Sequence, residues 1–186
     1  MSVQIARRQF TVEDFYRMAE AGIFAPDERV ELIDGEIVEM AKIGSRHAST
    51  VLRLNITFNE RLGRTAFVNV QSPLRLDQKS EPVPDVVVLK PRADFYAESH
   101  PEPEDTLLVV EVADTALRYD PRVKVPLYAR AGIQEVWLVN LVKGVIEVYS
   151  RPDGKTYSEI RKAGRGETLT PLLVPSLTLK VEDILG

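Results

Sequence analysis

The 186-residue sequence predicts an α/β fold built on a mixed sheet covered on both faces. Three observations carry that expectation. The runs VVVL at 86–89 and LLVV at 107–110 are continuously apolar, without the alternation of a sheet that is wet on one side. Helical periodicity appears between and after such runs. Glycine, proline and Asp-Gly dipeptides punctuate the segments at lengths suited to strands and short helices.

The elements follow in chain order. Thr11 with Asp14 resembles a capping box opening a short helix in TVEDFYRMAEA, which Gly22 would end. VELIDGEIVEM holds two apolar runs around Asp34-Gly35, a strong hairpin signal. From Ser45 to Leu62 the residues His47, Val51, Leu54, Phe58 and Leu62 recur at helical spacing, with Gly63 as the stop. AFVNVQSPLRL reads as an extended strand broken at Pro73, and PDVVVLK as a short buried strand. The Pro- and acid-rich stretch 91–105 reads as a surface loop, and TLLVVEVA as another buried strand. A helix is expected over about 120–131, then strands in QEVWLVN and GVIEVYS, a turn at Asp153-Gly154, and short strands and loops to the end.

A chain with 44% hydrophobic and 28% charged residues can form one ordinary domain, here taken as 1–186, and is not wholesale disordered. With no cysteine it has no disulfide framework, thiolate metal site or cysteine nucleophile, which fits a reducing compartment. MSVQIARRQFTVEDF lacks the apolar core of a signal peptide, and no stretch approaches the roughly 20 apolar residues of a membrane span. A soluble, cytoplasmic protein is expected. Lys and Arg number 24 against 28 Asp and Glu, a net charge of −4, so nucleic acid would have to meet a local basic patch.

Two acids break the logic of the buried strands. Asp85 opens PDVVVLK, and Glu111 lies inside LLVVEVA. Alternation gives Leu107, Val109, Glu111 and Ala113 one shared face. A buried carboxylate is costly unless it is paired, hydrogen-bonded or bound to metal. Two together repel one another unless a cation fills the gap, and Mg²⁺ (or Mn²⁺) suits a few carboxylate oxygens. Lys124, on the helix after the Glu111 strand, could aim its amine at these acids. There it would stabilise charge on a phosphate or orient an attacking water.

Pro84-Asp85 followed 26 positions later by Glu111-Val112 resembles the PD-(D/E)XK nuclease signature. The ordered set VELIDGEIVEM, SPLRL, PDVVVL, LLVVEVA and KVPLYARAGIQEVWLVN resembles the large bacterial Uma family of putative restriction endonucleases, long labelled a domain of unknown function. The resemblance spans roughly residues 10–180. It implies a restriction-endonuclease-like core with acids and lysine at a divalent metal site. Ala113 stands where the general signature has lysine, and the family pattern implies a lysine migrated to the next helix, matched by Lys124.

On this resemblance Asp85, Glu111 and the Val112 carbonyl hold Mg²⁺, Lys124 assists the attacking water, and DNA is the substrate. Glu31 is a lesser candidate for a further acid, with a solvated hairpin face as its plainer reading. His47 reads first as a hydrogen-bonded, half-buried histidine and second as a phosphate contact. Arg46, with the arginines at 53, 61 and 64, reads first as a solvated helix face and second as a nucleic-acid contact. Tyr128 and Trp137 read as packing, and His100 as exposed. The competing readings are an inactive nuclease-like fold binding nucleic acid or protein, and a structural ion-pair network. A homodimer is expected because Trp137 and the strands VWLVN and GVIEVYS suggest a sheet edge in need of cover. Lys124→Met is expected to leave stability almost unchanged.

Overall fold

A computed structural model describes residues 8–114 and 121–186 of the chain. Helix α1, Val12–Glu20, opens on the anticipated capping box: the Asp14 N–H donates to the Thr11 hydroxyl and the Thr11 N–H to the Asp14 carboxylate, both at 3.1 Å. Strands β1 (Val30–Ile33) and β2 (Glu36–Glu39) pair antiparallel as a separate hairpin. Asp34 and Gly35 both have positive φ, 49° and 76°, as a type I′ turn requires. Gly35 has a second reason to be glycine, because a Cβ there would lie 2.6 Å from that of Gln9.

Helix α2 is Ser45–Leu62, as its periodicity dictates. Strands β3 (Phe67–Val70), β4 (Val86–Leu89), β5 (Thr106–Ala113), β6 (Glu135–Asn140), β7 (Val145–Pro152) and β8 (Tyr157–Ala163) then form one sheet in sequential order. Every neighbouring pair is antiparallel except β5 and β6, which helix α3 (Pro121–Arg130) joins as a parallel pair. The expected start of α3 at Asp120 lies outside the described residues. Two short strands, β9 (Thr168–Leu169) and β10 (Leu179–Lys180), make a small sheet, and α4 (Val181–Leu185) closes the chain. The extended stretch anticipated after β3 is strand only to Val70.

Two apolar clusters sandwich the six-stranded sheet. On one face Val86, Val88, Val110 and Val112 pack with Leu54 and Phe58 of α2 and with Ile184 of α4. On the other, Val87, Leu89, Val109 and Ala113 pack with Val125, Leu127 and Tyr128 of α3. This is the two-sided burial that the unbroken apolar runs required. One facing differs from expectation. Leu107 packs with the α2 cluster, because the ladder pairs Val88 with Leu108 but Leu89 with Thr106. Leu107 is the extra residue of a β-bulge, and a bulge resets the alternation.

The sheet edge also differs. Trp137 is fully buried in the centre of the sheet, edge-to-face with Phe58 at 6.5 Å between centroids, and the late edge is β8. β8 is mostly exposed and carries Ser158, Glu159, Arg161 and Lys162, charged and polar residues that discourage edge pairing. Trp137 and the β6–β7 pair therefore present no open sheet edge for a second copy of the chain to cover. Among the described residues, no helix is long and apolar enough to cross a membrane.

Candidate active site

The register of the central strands brings the two acids together. Val86 of β4 pairs with Val110 of β5, so one step beyond the ladder sets Asp85 opposite Glu111. β4 has ended there, and the next N–H on that side of β5 lacks a strand partner. Asp85 supplies one: its Oδ2 accepts the Val112 N–H at 2.9 Å. A strand residue's N–H and C=O point the same way, so the Val112 carbonyl also faces the Asp85 side. His47 Nε2 meets the same Oδ2 at 3.0 Å, and the Gln71 side-chain amide donates to Oδ1 at 3.3 Å. Gln71 has a positive φ of 47°, a strained conformation for a non-glycine, and its N–H donates to the Asp85 carbonyl.

Glu111 is 3% exposed, on the face of the sheet that α3 covers. The Lys124 ammonium lies 3.3 Å from its Oε1 and 2.9 Å from Oε2 of Glu31. Tyr128 donates its hydroxyl to the same Glu111 Oε1 at 2.6 Å. Glu31, in β1, also accepts the Val83 N–H at 3.0 Å, which ties the hairpin to the segment just ahead of Pro84-Asp85. Burial is the main force raising the Glu111 carboxyl to about 7. The Asp85 and Glu31 charges add to the rise, while Lys124 and the Tyr128 hydrogen bond oppose it. For Lys124, burial pulls the ammonium down, but Glu111, Glu31 and Asp85 outweigh it and hold the amine above the ordinary lysine value.

These groups line one cavity of about 290 Å³, with Glu31, His47, Asp85, Glu111, Val112 and Lys124 in its wall. Arg29 and Glu39 also line it, so negative charges exceed positive ones by two when all the acids are ionised and His47 is neutral. Exposed Val38, Ile43 and Val123 lie at its margin. Among the described residues, no three His, Asp or Glu side chains converge as a metal cluster. Lys124 stands between Glu31 and Glu111, and His47 against Asp85, where a cation would otherwise balance the charge. The donor chemistry nevertheless fits a hard divalent cation: carboxylate oxygens, a backbone carbonyl and an excess of negative charge.

Of the residues singled out from sequence, Asp85, Glu111, Val112, Lys124, Glu31 and His47 come together in this cavity. Arg46 does not line it; its guanidinium donates to the Leu141 carbonyl at 2.7 Å. Arg53 and Arg61 likewise donate to carbonyls of Ile184 and Thr178, tying α2 to the C-terminal segment. Gln71 and Tyr128 were missed as site residues. No local pattern marks Gln71, whereas Tyr128 stands four positions after Lys124, one helical turn along the same face.

The family model described as "Putative restriction endonuclease", Uma2, matches residues 12–182. Among solved structures, the chain is similar to a putative nuclease of the DUF820 family from Anabaena variabilis, with a TM-score of 0.72 and 17% sequence identity. That match covers 95% of this chain and 97% of the other. No curated protein matches.

Proposed function

Because the chain belongs to the Uma2 family of putative restriction endonucleases, we propose that it is a Mg²⁺-dependent nuclease hydrolysing phosphodiester bonds in DNA. The observation that carries this reading is the convergence of Asp85, Glu111 and Lys124 on one cavity beside the Val112 carbonyl. In this reading Asp85, Glu111 and the Val112 carbonyl hold the cation. A divalent ion bound there supplies Lewis-acid neutralisation of charge at the phosphate.

The rest of the work falls to the chain's own groups. Lys124 presents an ammonium beside Glu111, placed to stabilise negative charge on a phosphoryl oxygen and to orient the attacking water. Glu31 keeps that ammonium at the cavity wall when it leaves Glu111. His47 and Gln71 fix the rotamer of Asp85 through hydrogen bonds to its two oxygens. Ala113 lies on the α3-facing side with Glu111, so a lysine at either 113 or 124 approaches the acids from the same layer. This supports reading Lys124 as the migrated lysine. Two sites would cut both strands of a duplex in one encounter, and a homodimer in the cytoplasm completes the proposal.

A second reading, a nuclease-like fold that binds nucleic acid or protein without cleaving it, draws on one observation. Lys124 and His47 already pair with the acids. Calorimetric titration with Mg²⁺ and Mn²⁺, then incubation with plasmid and branched DNA, separates the two. Metal binding with strand cleavage supports the nuclease, whereas DNA binding without cleavage in either metal supports the second reading.

A further inference from the structure

We infer that Tyr128 is a positioning residue for Glu111: its hydroxyl fixes the carboxylate that, in the nuclease reading on which this inference rests, holds the divalent cation. Tyr128 is fully buried, and its ring belongs to the apolar cluster between α3 and the sheet. Phenylalanine would fill that space equally well. The hydroxyl is the part that packing does not explain, and a buried hydroxyl needs a partner. It donates to Oε1 of Glu111 at 2.6 Å, a short and well-formed hydrogen bond.

Tyr16 donates to Glu81 at 2.7 Å and Tyr149 to Glu147 at 2.8 Å, so tyrosine–glutamate pairs recur in this fold. Neither of those acids lines the cavity that holds Asp85 and Lys124; Glu111 does. Tyr157 is a buried tyrosine of the same apolar cluster, and its hydroxyl goes to the Ile133 carbonyl at 2.8 Å, remote from any site acid.

Glu111 has reason to need such a partner. Its side chain has three rotatable bonds, and metal ligands must be held to within about half an ångström of their working geometry. Lys124 contacts the same oxygen, but a lysine that serves the phosphate must be free to leave Glu111. The tyrosine ring, locked by packing one helical turn further along α3, can stay in place. Outer partners of metal ligands typically matter about 10- to 100-fold in metal affinity.

The test is calorimetric titration of Mn²⁺ into the intact wild-type chain, Tyr128→Phe and the matched control Tyr157→Phe, at a temperature where circular dichroism shows all three folded. The expected result is a Mn²⁺ dissociation constant raised at least tenfold in Tyr128→Phe and changed less than twofold in Tyr157→Phe. DNA cleavage by Tyr128→Phe should recover to within about threefold of wild type once Mn²⁺ saturates it. An unchanged constant in Tyr128→Phe, or an equal loss in both variants, overturns the inference while leaving the nuclease reading intact. A wild type that binds no Mn²⁺ overturns both.

Discussion

Lys124→Met removes one charge and keeps most of the apolar stem, and the structure gives it a larger effect than sequence suggested. The Lys124 side chain is only 15% exposed, and its ammonium faces two carboxylates at 2.9 and 3.3 Å. At an effective dielectric near 20, each contact amounts to about 5 kcal/mol before desolvation is counted. Desolvation offsets much of this, but removing one partner of a buried pair leaves the other's charge uncompensated, at a typical net cost of about 3–5 kcal/mol. For a chain of this size that lowers the melting temperature by roughly 6–20 °C. The loss should be greater at pH 8 than at pH 6. Without the ammonium, the Glu111 carboxyl titrates higher still and is neutral at the lower pH. Added Mn²⁺ should raise the variant's melting temperature more than the wild type's, since the cation replaces the missing charge. Cleavage should fall by about a hundredfold or more. Scanning fluorimetry at both pH values, with and without Mn²⁺, reads the stability terms. A melting temperature within about 2 °C of wild type at pH 8, with an equal Mn²⁺ response, would refute the reasoning.

Adding Ala113→Lys to Lys124→Met should restore part of the cleavage rate, because residue 113 shares the α3-facing layer with Glu111; single-turnover cleavage by the double variant at or below that of Lys124→Met counts against a shared target. The pH dependence follows from Glu111, which Asp85, Glu31, Lys124 and Tyr128 surround and which burial raises from 4.5 to about 7. Between those values the native state holds a proton that the unfolded chain has released, so this group's contribution to stability is complete below pH 4.5 and is lost as pH rises through 7. The same proton competes with metal, so Mn²⁺ affinity should rise about tenfold from pH 6 to pH 8. A calorimetric profile flat across that range contradicts the assignment.

Much of the fold is legible locally because its determinants are local. Thr11 and Asp14 cap one another within a single turn, and the apolar stripe from His47 to Leu62 needs only α2's own periodicity. Asp34-Gly35 adopts the one turn its positive φ values allow. What depends on strand order or ladder irregularity is not written in periodicity. The strands VWLVN, with Trp137, and GVIEVYS read as a late sheet edge until β8 is known to lie beyond them, and Leu107 reads as a neighbour of Glu111 until the bulge is seen. Helix α4 is five residues long, too short for a periodic signal. Asp85 and Glu111 stand out because charge inside apolar strands is anomalous on its face. Gln71 and Tyr128 do not, since each is defined by a contact across the fold.

The most direct measurement of the central claim is Mn²⁺-dependent nicking of supercoiled plasmid by the wild type, run in parallel with Asp85→Ala. Asp85 is the acid that β4 delivers to Glu111, and its Oδ2 also holds the Val112 N–H and meets His47. The account predicts nicking by the wild type that vanishes on chelation, and none by Asp85→Ala above the no-enzyme control. Equal nicking by both proteins, or none by the wild type across Mg²⁺ and Mn²⁺, would contradict it.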